Sequence, residues 1–543
     1  MTRAELFFSS FIGFLIVAFG QPSFALPLAP LAAAVGYALF WRCVRIFPFP
    51  IQRFWRGALW YTIVAMVQLS WMTAYEYQGI YILAVFGALA IWLGVQFGLL
   101  TLLIPYNRSI SIARGLAIAS LWTLFEWGRF YFICGFSWNP AGLALSTPFA
   151  MQSASLLGVL GLSFWVIFVN VLGLRALIKK RGRAYWAWGV AALLPYTFGL
   201  VHTVYHEKVS AKKRGAPFTC ILVQTGLLPQ EKVPLNGQLQ AFISPYSQWK
   251  RIFSYIGEHE KSHPNLIVLP EAALPYPGLA SIYSQKQIKK DLMENFESEK
   301  IEALFSDPGE EGDIFLSNAD VAQTLANLLG SEVIAGLDHC GEKGSHYNSA
   351  FHFVPQGMTQ TRYDKRVLMP LAEYLPYEWL RPLVSSYGIK EFFTPGDKPK
   401  LFRGALAMSV SICYEETFPG HVRDGCNLGA DLIVNVTNDV WFPDSRLPSQ
   451  HYEHSRLRAV ENGVPLVRAC NTGVTAAVDS LGREVSRLSE KDSEGRPMAA
   501  ALKTEIVLYT YKTLFSHLGN GGILGLSTLC LANFIFFGRL FKW

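Results

Sequence analysis

The chain has 543 residues, room for two or three ordinary domains. It is 51% hydrophobic and only 16% charged, against about 25% charged in a typical soluble domain, so a uniformly soluble globule is excluded. The net charge of +7 lies largely in short loops between apolar segments, and no basic patch with interleaved aromatics is present, which excludes nucleic acid as an expected partner.

Taken in chain order, residues 1–205 are apolar and aromatic, 206–510 read as a soluble domain, and a final apolar stretch closes the chain. The run at 6–20 has no small-residue cleavage site and is followed at once by another apolar run, so a retained helix is expected rather than a signal peptide. A spanning helix needs about 20 mostly apolar residues. Seven such stretches precede residue 206, with cores near 5–20, 24–41, 55–75, 79–105, 111–134, 150–176 and 185–204, and an eighth runs from 515 to 537. The expected organisation is a transmembrane domain at 1–205, a catalytic domain at 206–510, and a transmembrane helix with a cytoplasmic tail at 511–543.

Basic residues alternate between successive loops. Arg42, Arg45, Arg53 and Arg56 precede a loop (75–79) with none; Arg108 and Arg114 precede another (136–149) with none; then come Arg175, Lys179, Lys180, Arg181 and Arg183. Arg539 and Lys542 lie in the tail. This pattern predicts both termini in the cytoplasm and 206–510 outside. Lys208, Lys212, Lys213 and Arg214 run against it, but the rule weakens for large translocated domains.

In the soluble part, strands are expected at 219–224, 266–269, 332–337, 349–354, 405–412, 432–436, 464–469 and 476–478, with helices at 238–261 and 449–463 between them. Unbroken apolar runs such as 432–436 suit strands buried on both faces. The pattern predicts a layered α/β or α+β domain with a charged, helical insertion at 285–313. The eight cysteines include no C-x-x-C pair. Cys43, Cys134 and Cys530 lie in or beside apolar segments and the rest are scattered, which argues against a zinc cluster and gives no disulfide framework.

Three segments set a reactive group at a strand end or in a loop. Leu266 to Leu269 run through Pro270 into Glu271. Lys365 precedes Glu373 in a proline-punctuated loop. Residues 407–412 end at Cys413, followed by Tyr414, Glu415 and Glu416. Each alone has a plainer reading: a cap or surface acid, a surface salt bridge, a buried structural cysteine. Together they can do chemistry. A thiol attacks as thiolate; Glu271 can serve as general base; Lys365 can stabilise an oxyanion, with the backbone N–H of Tyr414 as second donor. The product is a thioester acyl-enzyme, and no metal or organic cofactor is required.

In order and local context, Glu271, Lys365 and Cys413 resemble the Glu-Lys-Cys triad of the nitrilase (carbon–nitrogen hydrolase) superfamily. The run Asn435 to Phe442, residues 451–461, and Arg468 to Thr475 resemble the same family. In the apolar part, Glu126-Trp127, Gly135-Phe136-Ser137-Trp138, Gln152 and 158–161 resemble the membrane region of the apolipoprotein N-acyltransferase family. The resemblance implies an αββα catalytic sandwich on the periplasmic side of a bacterial inner membrane, joined to about eight membrane helices. It implies transfer of a fatty acyl chain from a phospholipid to the α-amino group of a diacylglyceryl-cysteine at a lipoprotein N-terminus. It further implies that Glu373 and Glu415 support the triad, and that Trp138, Asn438, Trp441 and Phe442 meet substrate. Three positions depart from the family pattern: Ser137 stands for a proline, Pro443 for a glycine, and no tryptophan follows Gln230. Two other readings stay open at this level: a membrane-tethered amidase of small amides, and a transporter or scaffold with an inactive outer domain.

Overall fold

The computed structural model describes residues 2–132, 135–212, 217–234, 239–305, 313–381 and 392–537. Cys134, Lys213, Arg214, Arg539, Lys542 and the 306–312 part of the charged insertion, all named above, lie outside the described residues. The chain forms two compact units, neither continuous in sequence: residues 1–212, 442–463 and 512–543 in the first, 213–441 and 464–511 in the second.

The first unit is helical. Long helices span Arg3–Phe19, Pro50–Gln68, Tyr81–Thr101, Ile112–Arg129, Ala154–Lys179, Gly182–Lys212 and Asn520–Phe537, and a broken helical run occupies 22–44. Among the described residues, four are long and apolar enough to cross a membrane: Pro22–Val44, Tyr81–Thr101, Ala150–Lys179 and Gly182–Lys212. The other expected spans are helical too, but two carry charges within them (Arg53 and Arg56; Arg114, Glu126 and Arg129) and two are only 17 and 18 residues long. Several internal polar groups are paired within the bundle. Glu126 Oε1 accepts from Trp122 Nε1 and from the Ala141 amide, both at 2.7 Å, and the Asn170 amide nitrogen donates to the carbonyls of Ala32 and Ala33 at 3.0 Å.

The helix Leu447–Asn462, which the sequence groups with the soluble region, packs in this first unit. Its polar side chains explain why. Gln450 Nε2 donates to the Trp138 carbonyl at 2.9 Å, Glu453 accepts from Ser146 Oγ at 2.8 Å, and Glu461 accepts from the Val159 amide at 2.7 Å. That amide is freed by a break in the helix at Leu157 and Gly158, where Gly158 has φ +68°.

Among its described residues the second unit has fourteen strands: β1 Phe218–Gln224, β2 Leu266–Leu269, β3 Tyr283–Ser284, β4 Phe315–Leu316, β5 Glu332–Cys340, β6 His346–Phe353, β7 Thr361–Asp364, β8 Leu401–Arg403, β9 Ala407–Ile412, β10 Leu432–Thr437, β11 Leu466–Cys470, β12 Ala476–Val478, β13 Glu484–Arg487 and β14 Ala500–Ile506. Two six-stranded sheets run β14-β1-β2-β5-β6-β7 and β13-β12-β11-β10-β9-β8, and β3 pairs with β4 alone. In each large sheet three central strands are parallel and the flanking strands antiparallel. All eight expected strands are present; the additional ones are short or lie at sheet edges, where apolar periodicity is weak.

The sheets face each other across a core of Leu222, Val268 and Ile334 on one side and Val410, Ile412, Val434 and Val467 on the other. The opposite face of the first sheet is covered by helices Pro245–Gly257, Gln285–Met293 and Asn318–Leu329 through Trp249, Phe253, Leu292 and Leu325. Helix Pro419–Asn427 lies against β9, where Gly425 leaves room for the Ser409 hydroxyl. Burial on both faces explains why the central strands read as continuous apolar runs.

At the end of β2 the backbone turns sharply, and β5 passes directly beneath it. Gly336 permits this: a Cβ there would collide with the Pro270 carbonyl and Glu271 Cα, and the Gly336 carbonyl accepts the Ala273 amide at 2.8 Å. Replacement Gly336→Ala is expected to cost about 1–3 kcal/mol in denaturant unfolding of the detergent-solubilised protein. Gly330→Ala, with no atom near the new Cβ but φ +61°, should cost only about 1 kcal/mol.

Candidate active site

The three sequence-predicted reactive residues come together in the second unit, each just beyond the end of a strand. Glu271 follows β2 and Pro270, and the next residue, Ala272, has φ +42°. Lys365 follows β7, with its amide bonded to the Asn348 carbonyl at 2.9 Å. Cys413 follows β9. Ligand sites gather at the carboxyl ends of parallel strands because backbone and loops there can open without disturbing the packed sheet.

Lys365 is 2% exposed, and its ammonium donates to Glu271 Oε1 at 2.9 Å and to Glu373 Oε1 at 2.8 Å. Asn348 Nδ2 donates to the same two oxygens, at 2.7 and 2.8 Å. The second Glu373 oxygen accepts the Met369 amide at 2.7 Å, which ties the carboxylate to its own loop. Burial disfavours the Lys365 charge, but Glu271, Glu373 and the nearby Cys413 outweigh it and hold the ammonium protonated well above the ordinary lysine value.

Cys413 has φ +50°, an uncommon conformation for a residue with a side chain, so the chain leaves the core strand abruptly at the thiol. Its Sγ lies 4.0 Å from the Asn438 carbonyl oxygen. Burial pushes the thiol pKa up, the Glu271 carboxylate adds to the rise, and Lys365 opposes it. The resting thiol is therefore protonated at neutral pH, and a base must take its proton as it attacks.

Glu415 ties the lysine loop to the cysteine strand. It is fully buried. One oxygen accepts the Arg366 amide at 2.6 Å and the Val367 amide at 3.1 Å; the other accepts the Ile412 amide at 2.8 Å. Tyr363 Oη donates to the carboxylate at 2.9 and 3.0 Å, and His421 Nε2 stands 3.1 Å away. One carboxylate thus joins the residue after Lys365 to the residue before Cys413. A second buried group lies behind: Arg468 of β11 pairs with Glu416 and, at 2.9 Å, with Asp439.

The remaining candidates are distributed between the units. Tyr414 is buried with its ring 5.0 Å from that of Phe418. Asn438 Oδ1 accepts from Asn471 Nδ2 at 3.0 Å and from the Val440 amide at 3.2 Å, and Trp441 is 44% exposed; both belong to the second unit. Trp138 and Phe442 belong to the first, where Trp71 packs edge-on against both, at 5.1 and 4.8 Å. Sequence reasoning does not single out Asn348, Tyr363 or His421. Asn348 sits inside a strand and His421 inside a helix, and neither position carries a local signal of its role.

Burial alone would raise the Glu415 carboxyl, but His421 and the hydrogen bonds from Ile412 and Arg366 override it and bring it from the ordinary 4.5 down to about 2. A carboxyl depressed on folding contributes stability that is complete above the unfolded value and is lost as pH falls through the folded one, here between pH 4.5 and about 2. Glu415→Gln is expected to lose about 3 kcal/mol at pH 7 and to flatten the acid side of a thermal-unfolding profile over that window. An unchanged profile would remove Glu415 from the account of how the two segments are joined.

Comparison with known proteins places the geometry in context. The carbon–nitrogen hydrolase family matches residues 238–506, and the apolipoprotein N-acyltransferase N-terminal domain matches residues 13–172. The chain is 31% identical over 526 residues to an apolipoprotein N-acyltransferase of Chlamydia pneumoniae, covering 94% of this chain and 93% of that one. It is 29% identical over 551 residues to the Chlamydia caviae protein of the same name, covering 98% and 97%. To the Shewanella oneidensis one it is 30% identical over 448 residues, covering 79% and 75%. Across nearly its whole length, helical unit and layered α/β unit together, the chain belongs to the apolipoprotein N-acyltransferase family.

Proposed function

We propose that this acyltransferase carries a fatty acyl chain from a phospholipid, through a thioester on Cys413, to the α-amino group of a lipoprotein's N-terminal diacylglyceryl-cysteine. The observation that carries the mechanism is the buried Lys365 ammonium between the Glu271 and Glu373 carboxylates, within electrostatic reach of Cys413.

Glu271 takes the Cys413 proton as sulfur attacks the ester carbonyl. Lys365, with the Tyr414 amide, stabilises the oxyanion. The lysophospholipid leaves with the proton from Glu271, and the acyl group stays on sulfur. The acceptor amine then attacks the thioester and yields its proton to Glu271, which returns it to the departing thiolate. Glu373 and Glu415 position these groups. Asn438 and Trp441, with Trp138 and Phe442, serve the substrates.

Both substrates carry long acyl chains, and each methylene drawn into water costs about 0.8 kcal/mol. A membrane enzyme avoids that cost, which supports the assignment of the helical part to the bilayer: eight spans, seven in 1–205 and one in 511–543, with the catalytic region 206–510 on the periplasmic face of a bacterial inner membrane. The alternating basic loops support that orientation. A pocket served by lipid also favours transfer over hydrolysis, because water is kept from the thioester until the amine arrives.

The reading is tested by incubating the purified protein with phospholipid alone and weighing it intact. An acyl adduct is expected on the parent, absent from Cys413→Ala, and chased onto a diacylglyceryl peptide. Glu271→Gln and Lys365→Met should each slow adduct formation about 100-fold or more. Acyl transfer without any adduct would overturn the covalent route, and ammonia release from a small amide with no acyl transfer would replace it with an amidase.

A further inference from the structure

One of the groups packed around Cys413 is neutral and has no part in the mechanism above. Thr437 ends β10. Val436, the residue before it, pairs with Ile412, so Thr437 and Cys413 leave neighbouring parallel strands side by side. On its other side Thr437 pairs with Cys470 of β11, and its carbonyl accepts the Asn471 amide at 3.0 Å. The Cys413 sulfur sits 4.0 Å from the carbonyl oxygen of Asn438, the next residue. Thr437 is fully buried, and its Oγ1 makes no hydrogen bond of ordinary geometry among the described residues. The hydroxyl nevertheless reaches the Cys413 thiol, where it favours the charged form.

A buried hydroxyl without a bond costs stability, and its presence calls for a reason. The acceptor it lacks can be the sulfur itself. A thiol sulfur is a weak acceptor, so the bond is worth little in the resting site. A thiolate is a charged acceptor, and bonds to charged groups are about twice as strong as neutral ones. The Asn438 carbonyl cannot help the anion, since it only accepts. The charged and titratable groups facing the sulfur come from every element around it: Glu271 after β2, Lys365 after β7, Asp439 after β10 and Arg468 on β11, with the Cys470 thiol beside them. Both cations are already shared by carboxylates, Lys365 by Glu271 and Glu373, and Arg468 by Glu416 and Asp439. A neutral donor is not cancelled by its neighbours in this way. Threonine is also stiff about χ1, so its hydroxyl in a core strand is fixed before the reaction begins.

We propose that the Thr437 hydroxyl is a further catalytic group, which donates a hydrogen bond to the Cys413 sulfur while that atom carries negative charge. The inference rests on the reading of Cys413 as nucleophile. As sulfur attacks the ester carbonyl, its proton passes to Glu271 and the S–C bond forms; Thr437 keeps its own proton throughout. When the acceptor amine displaces the acyl group, the S–C bond breaks and the same hydroxyl meets the leaving thiolate. An interaction made mainly while sulfur is anionic lowers both barriers without tightening substrate binding.

The test compares Thr437→Val, which keeps the shape and loses the hydroxyl, with Thr437→Ser, which keeps it, in the full-length protein in detergent. Iodoacetamide alkylation, read by peptide mapping at Cys413, reports thiolate reactivity with no lipid present. Thr437→Val should alkylate about 10-fold more slowly at neutral pH, and should slow acylation from a dioleoyl phospholipid by a similar factor with KM unchanged. Thr437→Ala, which also lacks the hydroxyl, should match it in alkylation. Thr437→Ser should stay within about threefold of the parent in both assays. The melting temperature of Thr437→Val should not fall, because a methyl replaces a buried hydroxyl that has no resting bond to lose. Parental alkylation in Thr437→Val, or a rate loss that comes with a lower melting temperature and is shared by Thr437→Ser, overturns the inference. An acyl adduct that forms on Cys413 of Thr437→Val at the parental rate rejects Thr437 alone. A parent that is alkylated at Cys413 but never acylated by phospholipid rejects the underlying reading, and the alkylation comparison still decides the role of the hydroxyl.

Discussion

The site depends on one buried ammonium. Lys365 is almost wholly removed from water, and an unpaired charge in that position would cost several kcal/mol. It is tolerated because two carboxylates accept hydrogen bonds from it, and Asn348 donates to the same two oxygens and holds them in place. Removing Lys365 would leave two buried carboxylates facing each other with only Asn348 to bridge them, so the ammonium is the member the cluster cannot lose. The same demand for company explains why Glu373 is anchored to the Met369 amide and why Lys365 begins its loop under a backbone bond to Asn348.

A fixed cation still needs a fixed target. Lys365 and Cys413 lie on different strands of different sheets, and packing of apolar faces tolerates small slips that a reaction coordinate does not. Glu415 removes that freedom. By accepting amides on both sides, from Arg366 and Val367 and from Ile412, it links the two segments through a single rigid carboxylate. Its protonation would weaken these bonds, so stability at acid pH and geometry at the thiol share a cause. The left-handed backbone at Cys413 is sustained by the same surroundings: the strand before it is held in the core and the turn after it is held by Glu415 and Thr417, whose hydroxyl donates to the Tyr414 carbonyl at 2.8 Å.

The helical unit follows a different rule. Apolar side chains suffice to face lipid, so its internal arrangement is marked by the buried polar groups that find partners. Glu126, Asn170 and the break at Gly158 each find partners far away in sequence. The helix Leu447–Asn462 joins that unit because its glutamine and glutamates meet these needs, although 446 residues of chain precede it.

Much of this protein is determined by sequence alone, where the physics is local. Long apolar runs declare membrane helices because the bilayer requires them, and unbroken apolar stretches declare strands buried on both faces. Glu271, Lys365 and Cys413 stand out because each follows a core strand at an abrupt change to polar residues. What only the tertiary structure decides is who stands beside them. Asn348 reaches Glu271 across 77 residues and Lys365 reaches it across 94. The grouping of 442–463 with the helices, the Glu415 brace and the bond from Lys232 to the Glu271 carbonyl are likewise matters of distance in space rather than in sequence. Hydropathy and strand periodicity carry no record of such contacts, because a buried charge is paid for by partners that folding, not chain order, brings near.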